Sequence, residues 1–331
     1  MQRFFNNPDF VVENMLKGFV LANPEIKTLK NNERVVVKKD KGSKKVGVIT
    51  GGGSGHEPAF LGYIGKGMLD AVAVGEVFAS PPAKAFYDAM LAADEGFGVA
   101  CLFGNYAGDN MNVKMAVQMA ADEDIDVKYV VANDDIASSP KETKEKRHGI
   151  AGGYFMWKVG GARAELGGTL DEVIASAQNI INRTRSICVG LESCIIPAVG
   201  KPNFKIANGK MEFGIGHHGE KGNREEDLKN ADDIAEEMVN SILDDFEFES
   251  SKELDIMLSG LGSTMLMEEY ILIGRIIELL KDEGHAIHKV YVGNFVTSLD
   301  MRGVSLTVID LDEEIKELMA YSAEPVGMKN Y

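Results

Sequence analysis

Short apolar runs of strand length recur along this chain, and segments with helical spacing separate them. Val46–Ile49, Val99–Phe103 and Val127–Val131 are such runs in the first half. A continuous apolar run of this length reads as a strand buried on both faces. Strands that alternate with helices need crossover connections, and crossovers build a mostly parallel or mixed sheet. Asn7-Pro8-Asp9 caps a first helix, in which Val11, Met15 and Phe19, and Val12, Leu16 and Val20, recur every four residues. Leu170–Ile181 reads as a helix with Ile174, Ala177 and Ile181 on one face. The glycines of Gly149–Gly153 and Gly160-Gly161 point to close packing or to a mobile loop.

A second series starts near Ile187. Ile187–Leu191, Met211–Ile215, Leu254–Leu258, Val290–Phe295 and Val304–Ile309 read as strands. One long amphipathic helix carries Ile234, Met238, Ile242 and Phe246 on a stripe. Met265–Leu280 is apolar on most sides, which predicts a well-buried helix. A chain of 331 residues holds one large domain or two ordinary ones. A composition shift near 185 favours two, at 1–185 and 186–331. The expected fold class is α/β, two α/β domains with mostly parallel or mixed sheets.

The net charge of −16 argues against direct nucleic-acid binding, which draws on a basic face. No apolar run is long enough to cross a bilayer. The N-terminus lacks a basic-then-apolar signal pattern, so a cytoplasmic location is expected. Cys101, Cys188 and Cys194 show no metal-ligand spacing and read as buried reduced thiols. No metal or organic cofactor is expected. No G-x-x-x-x-G-K-[ST] sequence occurs, so an internal nucleotide site of that type has no support.

Three residues in glycine-bounded loops after strands are the candidates for chemistry. His56 lies in Gly51-Gly52-Gly53-Ser54-Gly55-His56-Glu57-Pro58, Asp109 follows Gly104-Asn105-Tyr106-Ala107-Gly108, and His218 lies in Gly216-His217-His218-Gly219-Glu220. A lone histidine is more often structural than catalytic. Two histidines and an aspartate at strand ends converge on one crevice in a doubly wound fold and supply parts for acid–base work. A histidine can also attack a carbonyl. Asp134-Asp135 reads as a solvated helix entry, Lys141–His148 as a charged surface loop, and His285 and His288 as residues flanking a turn. Gly260-Leu261-Gly262-Ser263-Thr264 could host an anion at a helix start, although close packing is the simpler account.

Gly51–Pro58, Gly75-Glu76-Val77-Phe78-Ala79-Ser80-Pro81, Asn105-Tyr106-Ala107-Gly108-Asp109, Gly200-Lys201-Pro202, Gly214–Glu220 and Thr297-Ser298-Leu299-Asp300-Met301 together resemble the dihydroxyacetone kinase substrate-binding subunit family, DhaK. The match runs from the first helix to the last strand. The resemblance implies a homodimer with a site between loops of both domains. It implies that His218 adds to the ketone of dihydroxyacetone as a hemiaminal, that His56 assists, and that Asp109 takes the proton of the hydroxyl to be phosphorylated. Backbone groups of Gly53, Ser54 and Gly55 would hold ligand oxygens. His217 stands where the family usually has an apolar residue, which assigns the nucleophile to His218.

Departures from the kinase pattern fall on loops near the mouth of the site. The kinases have a lysine just before Asn-Tyr, where this chain has Gly104. That lysine would place positive charge beside a transferring phosphoryl group. Ser80-Pro81-Pro82-Ala83-Lys84, Lys146-Arg147-His148, Gly262-Ser263-Thr264-Met265 and Gly219-Glu220-Lys221-Gly222 also differ. Retained ligand residues with altered donor-facing ones resemble the DhaQ type, a co-activator branch of the family. The expected role is a dihydroxyacetone sensor whose partner is a transcription regulator. The alternative is a kinase subunit served by a separate phosphoryl-donor subunit, and whether the chain is an enzyme stays open between them.

Overall fold

A computed structural model describes residues 3–328 except 41, 43, 203, 247, 249 and 251. The chain enters through α1 (Val11–Ala22), then β1 (Ile26–Leu29), β2 (Asn32–Lys38), β3 (Gly47–Ser54), the short β4 (Gly65–Lys66) and β5 (Ala71–Val77). Next come α2 (Ala83–Ala93), β6 (Val99–Gly104), α3 (Ala107–Ala121), β7 (Val127–Ala132), α4 (Gly153–Glu165) and α5 (Leu170–Asn182). Six strands form one sheet in the order β1-β2-β5-β3-β6-β7. Its four strands from β5 to β7 are parallel, and β1 and β2 add an antiparallel edge. Helices α2 and α3 cover one face and α4 and α5 the other, which is why the central strands are apolar on both sides.

The chain continues as β8 (Thr184–Gly190), β9 (Lys210–Phe213), β10 (Arg224–Asp227), α6 (Ala231–Phe246), β11 (Glu253–Gly260), α7 (Leu266–Asp282), β12 (Ala286–Gly293), β13 (Gly303–Asp310), α8 (Glu313–Ala320) and β14 (Glu324–Pro325). The second sheet runs β10-β9-β8-β13-β11-β12. Only β11–β12 is a parallel pair, so this sheet is mainly antiparallel. Along its strands the side chains alternate. Ile187, Val189, Leu254, Ile256, Leu258, Val304, Leu306 and Val308 pack under α6 and α7. Ser186, Cys188, Asp255, Ser259, Ser305 and Thr307 are buried on the opposite face. After β13 the chain returns to the first half: Ile315, Leu318 and Met319 join its core, and β14 pairs with β4.

Several expectations are corrected. Helix α7 is not buried on most sides: Met267 is 74% exposed, and Leu266, Tyr270 and Ile271 are exposed too. A helix lying on a sheet can bury one face only, here Leu272, Ile273, Ile276 and Leu280. Asp134 and Asp135 are fully buried rather than solvated. Asp134 accepts the N–H groups of Ile150 (3.1 Å) and Gly152 (2.8 Å), and so ties β7 to the approach to α4. His288 sits within β12 and pairs with Asp255 at 2.8 Å. All three cysteines are buried. Among the described residues no helix is long and apolar enough to cross a membrane.

Candidate functional site

The first sheet opens where its connections change direction. From β3 the chain moves to β5 on one side, then crosses to β6 on the other. Strands β3 and β6 pair only from Gly47↔Val99 to Ile49↔Cys101. Beyond that register their ends part, and open α/β sheets hold ligands at this position. A cavity of about 340 Å³ lies there. Gly53, His56, Gly104, Tyr106, Asp109 and His218 are in its wall. Trp157 and Phe60 meet edge to face at 5.4 Å and line its apolar part.

His56 follows the end of β3 and is 4% exposed. Its Nδ1–H donates to the Thr297 carbonyl at 2.7 Å. The chain at 297–299 also bonds back to Gly55, His56 and Glu57. Residues far apart in sequence thus hold the imidazole. Burial, then the nearby His218 and His217, push the His56 pKa well below the ordinary imidazole value. Its Nε2 faces the Nε2 of His218 at 3.1 Å.

His218 reaches that position from the loop between β9 and β10. Gly214 and Gly219, with φ of +77° and +78°, turn this loop through conformations that suit glycine. The Nδ1 of His218 lies 2.9 Å from Glu220 Oε1, and its backbone N–H donates to Glu220 Oε2, also at 2.9 Å. Burial pushes the Glu220 carboxyl up, but the His218 hydrogen bond and charge outweigh it and hold the pKa at about 2. Phe78 and Tyr106 close on the His218 ring edge to face at 5.3 and 4.8 Å. Phe78 also lies 5.2 Å from His56 and takes a backbone φ of +57°, uncommon for a bulky residue. His148 stacks on Tyr106 at 4.7 Å.

Asp109 occupies the first turn of α3, with its side chain in the cavity wall. It accepts a hydrogen bond from Ser80 Oγ at 2.8 Å. Burial raises its pKa to about 6, against the lowering pull of Ser80 and His218. His217 also borders the cavity but is buried, and its Nε2 has no hydrogen-bond partner among the described residues. Burial lowers its pKa to about 3.

Of the residues singled out in the sequence, His56, Asp109, His218 and Gly53 meet at one cavity. Ser54 and Gly55 do not. Ser54 Oγ donates to the Gly75 carbonyl at 2.8 Å, and the Gly55 N–H donates to the Glu57 carboxylate at 3.1 Å. The Ser54 hydroxyl is thus tied to β5 and the Gly55 N–H to its own loop. Gly53 is packed so tightly that a Cβ there would stand 2.7 Å from the backbone nitrogen of Ala79. Glu220, Tyr106, Ser80, Phe78 and Thr297 were not assigned site roles. All five stand in the motifs that carry the resemblance; Glu220 meets His218 within its own loop, and the other four meet partners from other loops.

The Dak1 domain family matches residues 17–326. The chain is 38% identical to the dihydroxyacetone-binding subunit DhaK of a PTS-dependent dihydroxyacetone kinase of Listeria innocua, covering 95% of each chain. It is 34% identical to the DhaKLM operon coactivator DhaQ of Lactococcus lactis, over 94% of this chain and 95% of that one. Among solved structures, a dihydroxyacetone kinase operon co-activator, DhaQ, superposes with a TM-score of 0.89 at 33% identity, covering 95% of this chain and 97% of the other. With its fold and these relatives in agreement, the chain belongs to the Dak1 domain family, to which it is similar over nearly its whole length.

Proposed function

We propose that this protein captures dihydroxyacetone covalently on His218 and reports its presence to a transcription regulator. The observation that carries the capture is the 3.1 Å approach of two imidazole Nε2 atoms in the wall of a cavity that also holds Asp109. As the His218 Nε2 bonds to the ketone carbon, the C=O π pair moves to oxygen. That oxygen takes a proton from the histidine pair. A hemiaminal forms only with a carbonyl, so glycerol, which has hydroxyls alone, is rejected more firmly than hydrogen bonding would achieve. Phe78, Tyr106 and the buried position of His56 limit water around the forming bond.

Gly104 favours the sensor over the catalyst. It lines the cavity, yet it brings no charge to a transferring phosphoryl group. The second reading, a kinase subunit with a separate phosphoryl donor, is favoured by Asp109. With a pKa of about 6 it is largely ionised at neutral pH and able to accept a hydroxyl proton. In either role a homodimer and a second protein partner are expected.

The deciding assay supplies dihydroxyacetone and a complete phosphoryl-donor system and follows the phosphorylated product. The sensor reading expects negligible turnover beside a genuine kinase subunit; turnover at ordinary enzymatic rates overturns it. The Gly104→Lys variant probes the missing charge. A Cβ at Gly104 meets its nearest neighbours at 3.4 Å, an ordinary contact, so the side chain has a place to start. Activity gained in Gly104→Lys would assign the loss to that charge.

A further inference from the structure

We infer that Glu220 is a positioning residue for covalent capture: its carboxylate directs the attacking lone pair of His218 to Nε2 and offsets the positive charge that grows on the ring. This rests on the hemiaminal reading above and deepens it.

The argument begins with a count of hydrogens. A backbone carbonyl only accepts, so the contact between His56 and Thr297 requires a hydrogen on the His56 Nδ1. A carboxylate only accepts, so the contact between His218 and Glu220 requires one on the His218 Nδ1. Two bare Nε2 lone pairs facing each other at 3.1 Å would repel, so a third hydrogen lies between them. Two imidazoles with three ring hydrogens carry one positive charge, and Glu220 supplies the matching negative one.

Capture then balances without an outside acid. The shared hydrogen moves to the His56 Nε2, which frees the His218 Nε2 lone pair. That lone pair forms the N–C bond, the carbonyl π pair moves to oxygen, and the His56 Nε2 hydrogen passes to that oxygen. His56 ends neutral. The positive charge ends on the substituted His218 ring, whose remaining N–H still points to Glu220. A carboxylate that fixes the tautomer of a histidine and faces its growing charge is the arrangement used in catalytic triads. The other titratable groups facing the His218 ring are His56, His217, Tyr106, Asp109 and, behind Tyr106, His148. Glu220 alone among them hydrogen-bonds to its Nδ1.

Glu220→Gln is the informative change. The His218 N–H and Nδ1 both contact this side chain. An amide oxygen satisfies one, and the amide NH₂ then faces the other. If the NH₂ faces Nδ1, the ring hydrogen shifts to Nε2 and the attacking lone pair is lost.

The test uses dihydroxyacetone labelled with ¹³C at its carbonyl carbon and NMR of the full-length protein, with Glu220→Gln and Glu220→Asp compared after circular dichroism verifies that each folds. In the wild type the label is expected to move from a carbonyl to a tetrahedral-carbon signal. In Glu220→Gln the capture rate is expected to fall about 10²-fold or more, by analogy with loss of the orienting acid in a triad. The alkaline limb of its pH profile is expected to move to lower pH, because the cationic pair has lost its counter-charge. Glu220→Asp is expected to recover part of the rate. Equal rates and an unshifted profile in Glu220→Gln overturn the role of Glu220 and leave hemiaminal capture intact. Absence of a tetrahedral signal in the wild type overturns capture itself, and the role of Glu220 with it.

Discussion

His217 and His218 are neighbours in sequence, yet the fold gives their rings different work. The His218 side chain is 24% exposed and bonded at both nitrogens. His217 is 2% exposed with an orphaned Nε2. A buried polar atom without a partner costs about 1–3 kcal/mol. His217→Leu is therefore expected to raise stability by about 1 kcal/mol in chemical denaturation while the dihydroxyacetone adduct still forms. His218→Ala is expected to abolish the adduct in intact-protein mass spectra. An adduct lost in the first variant and kept in the second would reverse the assignment. His56, Asp109 and His218 were legible in the sequence because each stands in a glycine-bounded loop at a strand or helix terminus. Glu220 was not, because its role depends on a turn that brings its carboxylate back onto the ring two residues earlier. Nothing in the alternation of residue types encodes that turn's geometry.

At the scale of elements, most of the long apolar runs gave themselves away and most of the short or polar ones did not. Strands β3, β6, β7, β11 and β13 were read from their runs. Strands β1, β2, β5 and β10 and the two-residue β4 and β14 were missed: β1, β2 and β10 are edge or near-edge pieces, β10, Arg224–Asp227, is entirely charged, and β5, Ala71–Val77, is an apolar strand between β2 and β3. The segment from β7 to α4 shows tertiary context overriding local pattern. Asp134-Asp135 looks like a solvated pair, but Asp135 is 2% exposed and bridges to Ser186 within β8. Burial raises its pKa to about 7 from an ordinary value of 3.8. Between these values the folded protein holds a proton that the unfolded chain has lost. Stability from this group is present below about pH 4 and is lost as pH rises towards 7, by at most about 1.4 kcal/mol per pH unit. Asp135→Asn is expected to flatten the fall in stability between pH 4.5 and 7, measured by urea denaturation. An unchanged slope would show that Asp135 titrates as an ordinary carboxyl.

In the whole molecule, the cavity is assembled from both sheets. His56 and Asp109 come with the first, His218 with the second, and the chain at 297–299 clamps the His56 loop. A ligand bonded to His218 and enclosed by this wall binds the folded state alone. At a hundred times its dissociation constant it adds about 2.7 kcal/mol. That corresponds to a rise in Tm of about 4 °C for a chain of this size. Differential scanning calorimetry with dihydroxyacetone is expected to show the rise in the wild type and its loss in His218→Ala; a rise that survives the substitution would place the ligand elsewhere. The sequence by itself determined the α/β class, the two series of strands, the family and three of the residues at the cavity, because hydrophobic period and glycine-bounded strand ends are local properties. It took the tertiary structure to make the second sheet mainly antiparallel, to leave Met267 and Tyr270 of α7 in solvent, and to bring Glu220 onto His218 while the Ser54 hydroxyl bonds to Gly75 and the Gly55 N–H to Glu57. Those outcomes depend on which surfaces meet and which hydrogen-bonding groups are already taken, and no single segment carries that information.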